Sequence, residues 1–557
     1  MANCPACSHR VNPGAKFCAN CGGVLSANTP SGIAAKRGEG LSQQVGKFSS
    51  EPSRFASITS SKKSIAPDTI DAVKRTLFIV PDWFESSFQV LLDENKLNPI
   101  SVIALDSSDD MTETLRDIPA SYAAAGIRYI VIIGDWGSLA PARIPSPLAH
   151  DGDAFCLSDS PHHFSDDSED EEWMLDHLAH IQVGRIPVTD IDIIHSLFSH
   201  TESSTRNTDP VSLAVSAECW AEATHEIVRS QGGGTFAKQV AKPVNRNLLP
   251  KIPVVLSPGW SEDDLVPVLD ISKTEEQIIL FNVHGMADEP NWIGESIDRE
   301  YIQIFSPERI QDFSKTILVT EACYGGALGY DTISITEDFF HRGGLAFLGS
   351  STIAYGSNSA NLGAADLMAK HFIEKVNEGA PFGEALNHAR KALEDDDPFI
   401  DDYSKKTILS FNLFGLPWMK KTVAKSTLGR FSGSSSGSVL ANARASLANR
   451  TSGTGSGVLG QARERYRSRL SEINQGFLAN TPEMLEKLRT FRDYDKITES
   501  LNQWVGKDAF IQLESVEAAG QKGYRIGFKS QEKNGSKKQG VIVTDADGRI
   551  KKMLSSK

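Results

Sequence analysis

QIILFNVHGMAD, residues 277–288, and KTILVTEACYGG, residues 315–326, decide the fold. Each is a short, β-branched apolar run that stops at a residue able to do chemistry. The first run passes into His284 and Gly285, and the second into Glu321, Ala322 and Cys323. Runs of this length, closed by glycine, read as strands buried on both faces. Similar runs lie on either side: RTLFIVP, ISVIALD, RYIVIIGD, VSLAVS, IPVVLS and GGLAFLGS. Helix-like stretches such as SSFQVLLDENK lie between several of them. Near-continuous apolar strands alternating with helices predict an α/β domain over 74–425, a mostly parallel sheet covered by helices on both faces.

In such sheets, sites form at the carboxyl ends of the strands. Neighbouring strands would bring His284 and Cys323 together. A thiolate attacks a carbonyl carbon, and an imidazole handles the proton at the nucleophile and the leaving group. Singly, a cysteine after an apolar run is most often a core thiol, and a lone histidine is most often structural. The matched contexts and flanking glycines outweigh that reading for the pair. Gly285 carries no side chain, so its backbone N–H can approach a substrate oxygen. The amides of Gly285 and Cys323 are the expected oxyanion hole. Gly325 and Gly326 are expected to keep the far side of the cysteine open. Ser350, Ser351, Thr352 and Tyr355, after the next strand, either line the cleft or pack its end. Asp153, in HDGDAF, reads as part of a solvated turn.

The VHG and EACYGG blocks resemble the catalytic blocks of clan CD cysteine peptidases, which include caspases, separases and gingipains. YIVIIGD (129–135), ARIP, VGRIPV and SFNLFGLPWM (410–419) narrow the resemblance to the gingipain-like peptidase family over roughly 75–425. The resemblance implies a caspase-like fold, with His284 the catalytic histidine, Cys323 the nucleophile, and Gly285 with Cys323 supplying the oxyanion amides. It also implies that Asp176 is the counter-ion for a basic substrate side chain, with Asp159 a second candidate acid. Cleavage after arginine or lysine would follow. Leu416 departs from the family pattern, which usually has aspartate there.

Four of the seven cysteines form the pattern C-x2-C-x10-C-x2-C: Cys4, Cys7, Cys18 and Cys21. Two such knuckles place four thiolates tetrahedrally around a structural Zn²⁺, so 1–24 reads as a zinc ribbon that binds an unnamed partner. Residues 25–73 and the Ser/Gly-rich 426–460 read as linkers. Residues 461–557 read as a small α+β module without recognisable chemistry. The net charge of −14 argues against general nucleic-acid binding. No apolar run is long enough for a membrane span, and MANCPACSHR is no signal peptide, so the expected location is the cytoplasm. The expected partner is a protein substrate, and Arg37, Arg444 and Arg463 in or beside the linkers invite self-cleavage. Two other functions would use the same residues: a non-catalytic scaffold on a peptidase fold, and a cysteine acyl-transfer enzyme of the ligase type.

Overall fold

In this computed structural model the described residues are 64–160, 181–231, 254–422 and 482–556, apart from short stretches within them, together with 2–3 and 10–11. The four N-terminal cysteines, Asp176 and both linkers, save for residues 64–73, lie outside the described residues.

The eight predicted apolar runs, joined by Gln182–Ile186 and Phe411–Gly415, form one ten-stranded sheet. In chain order its strands are β1 (Thr76–Pro81), β2 (Ser101–Leu105), β3 (Tyr129–Ile133), β4 (Gln182–Ile186), β5 (Leu213–Ala217), β6 (Val254–Ser257), β7 (Gln277–Asn282), β8 (Thr316–Thr320), β9 (Ala346–Ser350) and β10 (Phe411–Gly415). Their spatial order is β6-β5-β7-β8-β9-β10-β4-β3-β1-β2. Nearly every residue of β1, β3, β4, β5, β7, β8, β9 and β10 is buried, because helices cover both faces. Asp82–Glu94, for example, turns Phe84, Phe88, Leu91 and Leu92 inward at helical spacing. Each such large side chain stabilises the fold by roughly 1.5–3 kcal/mol when fully buried.

The sheet is two parallel halves meeting head to tail. β6, β5, β7, β8 and β9 run one way, and β10, β4, β3, β1 and β2 run the other. The only reversal between neighbours is at β9 and β10, where Ser350 pairs with Phe411 and Ala346 with Gly415. The helix Asp402–Ser410 runs straight into β10 and sets that reversed entry.

The packed domain starts earlier than expected. The helix Pro67–Val73 is not linker: Ile65, Ala66, Ala72 and Val73 are buried, and the Ala66 amide donates to the Phe198 carbonyl at 3.1 Å. Leu416, where an aspartate was expected, is fully buried among apolar neighbours, so an acid there would be destabilising.

Residues 482–556 form the small module. Helices Pro482–Arg489 and Tyr494–Trp504 accompany an antiparallel sheet of β11 (Phe510–Ala518), β12 (Gln521–Gln531), β13 (Lys537–Asp545) and β14 (Ile550–Ser556). Leu488, Ile497 and Leu501 from the helices and Phe491 from the turn between them pack with Ile511, Ile526, Phe528 and Ile542 from the strands. β14 is not a free edge. It pairs antiparallel with Tyr355–Gly356 of the large domain, Tyr355 opposite Ser556 and Gly356 opposite Ser555.

Candidate active site

β7 and β8 are parallel neighbours in register, with Phe281 opposite Thr320. The Glu321 amide donates to the Phe281 carbonyl at 2.9 Å, which carries the pairing past the end of β8. Three residues beyond the Phe281–Thr320 pair, the two chains reach His284 and Cys323. A Cβ on residue 285 would collide with the Cys323 carbonyl oxygen, so the two backbones touch and only glycine fits there. The structure therefore brings His284, Gly285 and Cys323 together.

The backbone around Cys323 is fixed. Cys323 is 4% exposed, and its thiol lies 3.6 Å from the Ala354 carbonyl. Tyr324 takes a left-handed conformation (φ 54°), which turns the chain sharply after the cysteine. Its amide donates to the Thr352 carbonyl at 2.8 Å, and the Gly326 amide to the Ser350 carbonyl at 2.8 Å. Gly325 and Gly326 do not leave an open face. A Cβ at 325 would meet the Thr320 methyl at 2.8 Å, and one at 326 the Gly349 carbonyl at 2.7 Å. They are glycines because the turn packs against β8 and β9.

A third group stands behind the histidine. His284–Gly285 pairs with Trp292–Ile293 in a hairpin, and the same arm ends at Glu295. His284 Nε2 lies 2.7 Å from Glu295 Oε2. Glu295 is 2% exposed, and Tyr301 Oη donates to its other oxygen at 3.1 Å. The Trp220 ring lies 4.4 Å from the imidazole, centre to centre, and limits its rotation. Sequence reasoning missed Glu295, Trp220 and Tyr301. The available signal was the turn-forming ADEPN between HG and WIGE, which marks a hairpin.

Cys219, which follows β5, donates from Sγ to Glu295 Oε2 at 3.5 Å. Cys219 Sγ, a His284 ring nitrogen and a Glu295 oxygen lie within 4.8 Å of one another. Thiolate, imidazole and carboxylate are the donors Zn²⁺ prefers, and three leave its fourth position open. A metal held there would occupy the nitrogen that faces the carboxylate.

The other predicted residues fall elsewhere. Asp159 is not a substrate counter-ion. It is 3% exposed, and Arg185 grips both its oxygens, Nε to Oδ2 at 2.8 Å and Nη2 to Oδ1 at 2.6 Å. Arg185 also donates to the Gly134 and Leu139 carbonyls, so the arginine of VGRIPV ties strands together. Buried alongside them, Arg390 has its pKa pushed down to about 10 by desolvation, against the pull of Asp159. Asp153 is not solvated either. It is buried, pairs with Lys406 at 2.5 Å, and accepts from Tyr324 Oη and the Ile353 amide. Of the two readings of this segment, end packing fits Ser350 and Ser351: Ser350 Oγ donates to the Thr352 carbonyl, and Ser351 Oγ accepts from the Leu157 amide.

Residues 262–421 match the model of peptidase family C25. This is the gingipain family of clan CD, and the matched region holds His284, Glu295, Cys323 and the 350–356 segment. It supports a cysteine peptidase. No curated protein matches the chain. Among the described residues, no helix is long and apolar enough to cross a membrane.

Proposed function

We propose that this chain is a cysteine endopeptidase that cuts a protein partner after arginine or lysine. The observation that carries the reading is the meeting of His284 and Cys323 at the ends of adjacent parallel strands, with Glu295 2.7 Å behind the histidine. An ionised Glu295 takes the Nε2–H hydrogen bond, which leaves Nδ1 as the basic nitrogen. Nδ1 takes the Cys323 proton. The thiolate adds to the scissile carbonyl carbon, and the amides of Gly285 and Cys323 hold the oxyanion. The imidazolium returns the proton to the amine as the C–N bond breaks. Water, deprotonated by the same imidazole, then hydrolyses the thioester. Glu295 is a positioning residue: it fixes the ring and balances the imidazolium, as the third member of a triad does.

The basic specificity rests on the resemblance that assigns Asp176. Asp159 has no part in it. Cys4, Cys7, Cys18 and Cys21 hold a structural Zn²⁺ in a partner-binding ribbon. The protein works in the cytoplasm, and cleavage after Arg37, Arg444 or Arg463 processes it.

Turnover of an arginine-containing peptide library by wild type and Cys323→Ala tests the reading. The substitution is expected to lower turnover by at least ~10³-fold, as loss of a nucleophile does. Equal turnover by the two proteins rejects it. Intact masses of the same samples report processing, with new N-termini after arginine in wild type only.

A further inference from the structure

The thiol of Cys323 and the strand Tyr355–Gly356 are joined by one residue: the Ala354 carbonyl is 3.6 Å from Sγ, and the strand begins at the next position. The segment leading into it is held rigidly. Asp153 accepts from the Ile353 amide, the Thr352 carbonyl accepts from the Tyr324 amide, and Asp153 is itself locked to Lys406. A rigid strand edge beside a nucleophile is where an extended peptide adds by backbone pairing. In this protein that edge is taken, because β14 lies along it antiparallel.

The rest of the small module is shaped to stay there. Alternation along its strands gives it two faces. One packs on its own helices through Ile526, Phe528 and Ile542. The other turns Val541 and Leu554 onto Leu148, Tyr355, Ala364 and Tyr403 of the large domain, all buried. Gln539 Nε2 donates to Tyr355 Oη at 2.7 Å, and the Arg525 guanidinium sits 5.5 Å over the Tyr403 ring. Among the described residues the docking contact includes a two-residue ladder, a small apolar cluster, a buried hydrogen bond and a cation–π contact. Such a contact can be exchanged for a competing strand.

We propose that β14 is an intramolecular occupant of the substrate edge, so that the peptidase is held off until residues 510–556 move away from Tyr355–Gly356. The inference rests on Cys323 being the nucleophile. Substrate backbone and β14 compete for the same edge, and whatever lifts the small sheet, whether a partner or a cut in the chain before it, is the activator.

The test uses the full chain with Leu554→Asp, which places a charge in the docking face but not in the module's own core, and with the milder Gln539→Ala. The readout is the rate at which an arginyl chloromethyl ketone alkylates Cys323, followed by mass spectrometry. Hydrogen exchange of the 350–356 segment reports detachment. Release is expected to speed alkylation at least about tenfold in Leu554→Asp, and about fivefold in Gln539→Ala for one lost hydrogen bond. If exchange shows the segment freed while alkylation keeps the wild-type rate, the inference is overturned and the peptidase reading stands. If Cys323 is never alkylated, even with the segment freed, the peptidase reading falls and the inference with it. Should Leu554→Asp unfold the module, Gln539→Ala decides by the same two measurements.

Discussion

Two acid–base pairs in this protein each take their base from a block that resembles the same family, Arg185 from VGRIPV and His284 from VHG, and they do opposite work. Arg185 and Asp159 are both shut away, at 0% and 5% side-chain exposure, with two parallel bonds that use up both carboxylate oxygens. His284 and Glu295 share a single 2.7 Å contact, and the histidine side is 15% exposed. The first pair is symmetric in burial and saturated, so it fixes strands β3 and β4 to the 155–160 segment. The second is lopsided: its acid is buried and its base faces outward. A pair that must pass a proton needs one open end, whereas a pair that must hold a scaffold needs none.

The contrast breaks most visibly at Asp159. Asp159→Asn leaves the Arg185 charge buried without a counter-ion and is expected to cost about 3–5 kcal/mol of stability. The midpoint of urea unfolding measures this, and a shift no larger than that of an exposed aspartate would remove the scaffold role. Glu295→Gln should show the reverse signature. Its unfolding midpoint stays near wild type, while turnover falls about 10- to 100-fold, the equivalent of the ~1.5–3 kcal/mol of a charged hydrogen bond. A stability loss without a kinetic loss would make it a second scaffold pair. Gly285→Ala lies between the two. The added methyl pushes on the Cys323 carbonyl and is expected to cost about 1–3 kcal/mol, with a loss of Cys323 alkylation larger than the loss of stability explains.

The smallest effect is expected at Cys219. Its thiol gives the Glu295 carboxylate one long hydrogen bond, so Cys219→Ala should change metal-free turnover by no more than about fivefold. Added Zn²⁺ sharpens the comparison. Inhibition of wild type at Zn²⁺ concentrations that spare Cys219→Ala shows the thiolate joining the imidazole on the metal. Equal sensitivity of the two proteins places any zinc effect elsewhere.

The strands that carry His284 and Cys323 were legible because each is an apolar run with a reactive residue just past its end, and parallel neighbours meet there. The reversal at β10 was not. Composition reports that a strand is buried, but direction is decided by how the preceding helix delivers it. Glu295 escaped because its meaning comes from a cross-strand pairing, in a hairpin too short and irregular for periodicity to show. Asp159 was misassigned for a related reason. A carboxylate in CLSDS looks the same whether it awaits a substrate or already holds an arginine, and only the fold brings Arg185 to it. Tyr355–Gly356 is a two-residue strand whose partner is far along the chain, which no local pattern reveals.

The head-to-tail join of the sheet also dictates an order of events during synthesis. β1, β2, β3 and β4 leave the ribosome early, yet the strand that completes their sheet beside β4 is β10, which follows the whole of the other half. Until Phe411–Gly415 emerges, β4 presents a bare edge whose residues, Arg185 among them, are all buried in the finished sheet. Such edges recruit strands from other chains. The nascent chain thus elongates from residue 186 to residue 411 with that edge exposed to mispairing, and slowing elongation over this stretch should lower the soluble yield more than slowing it before β4.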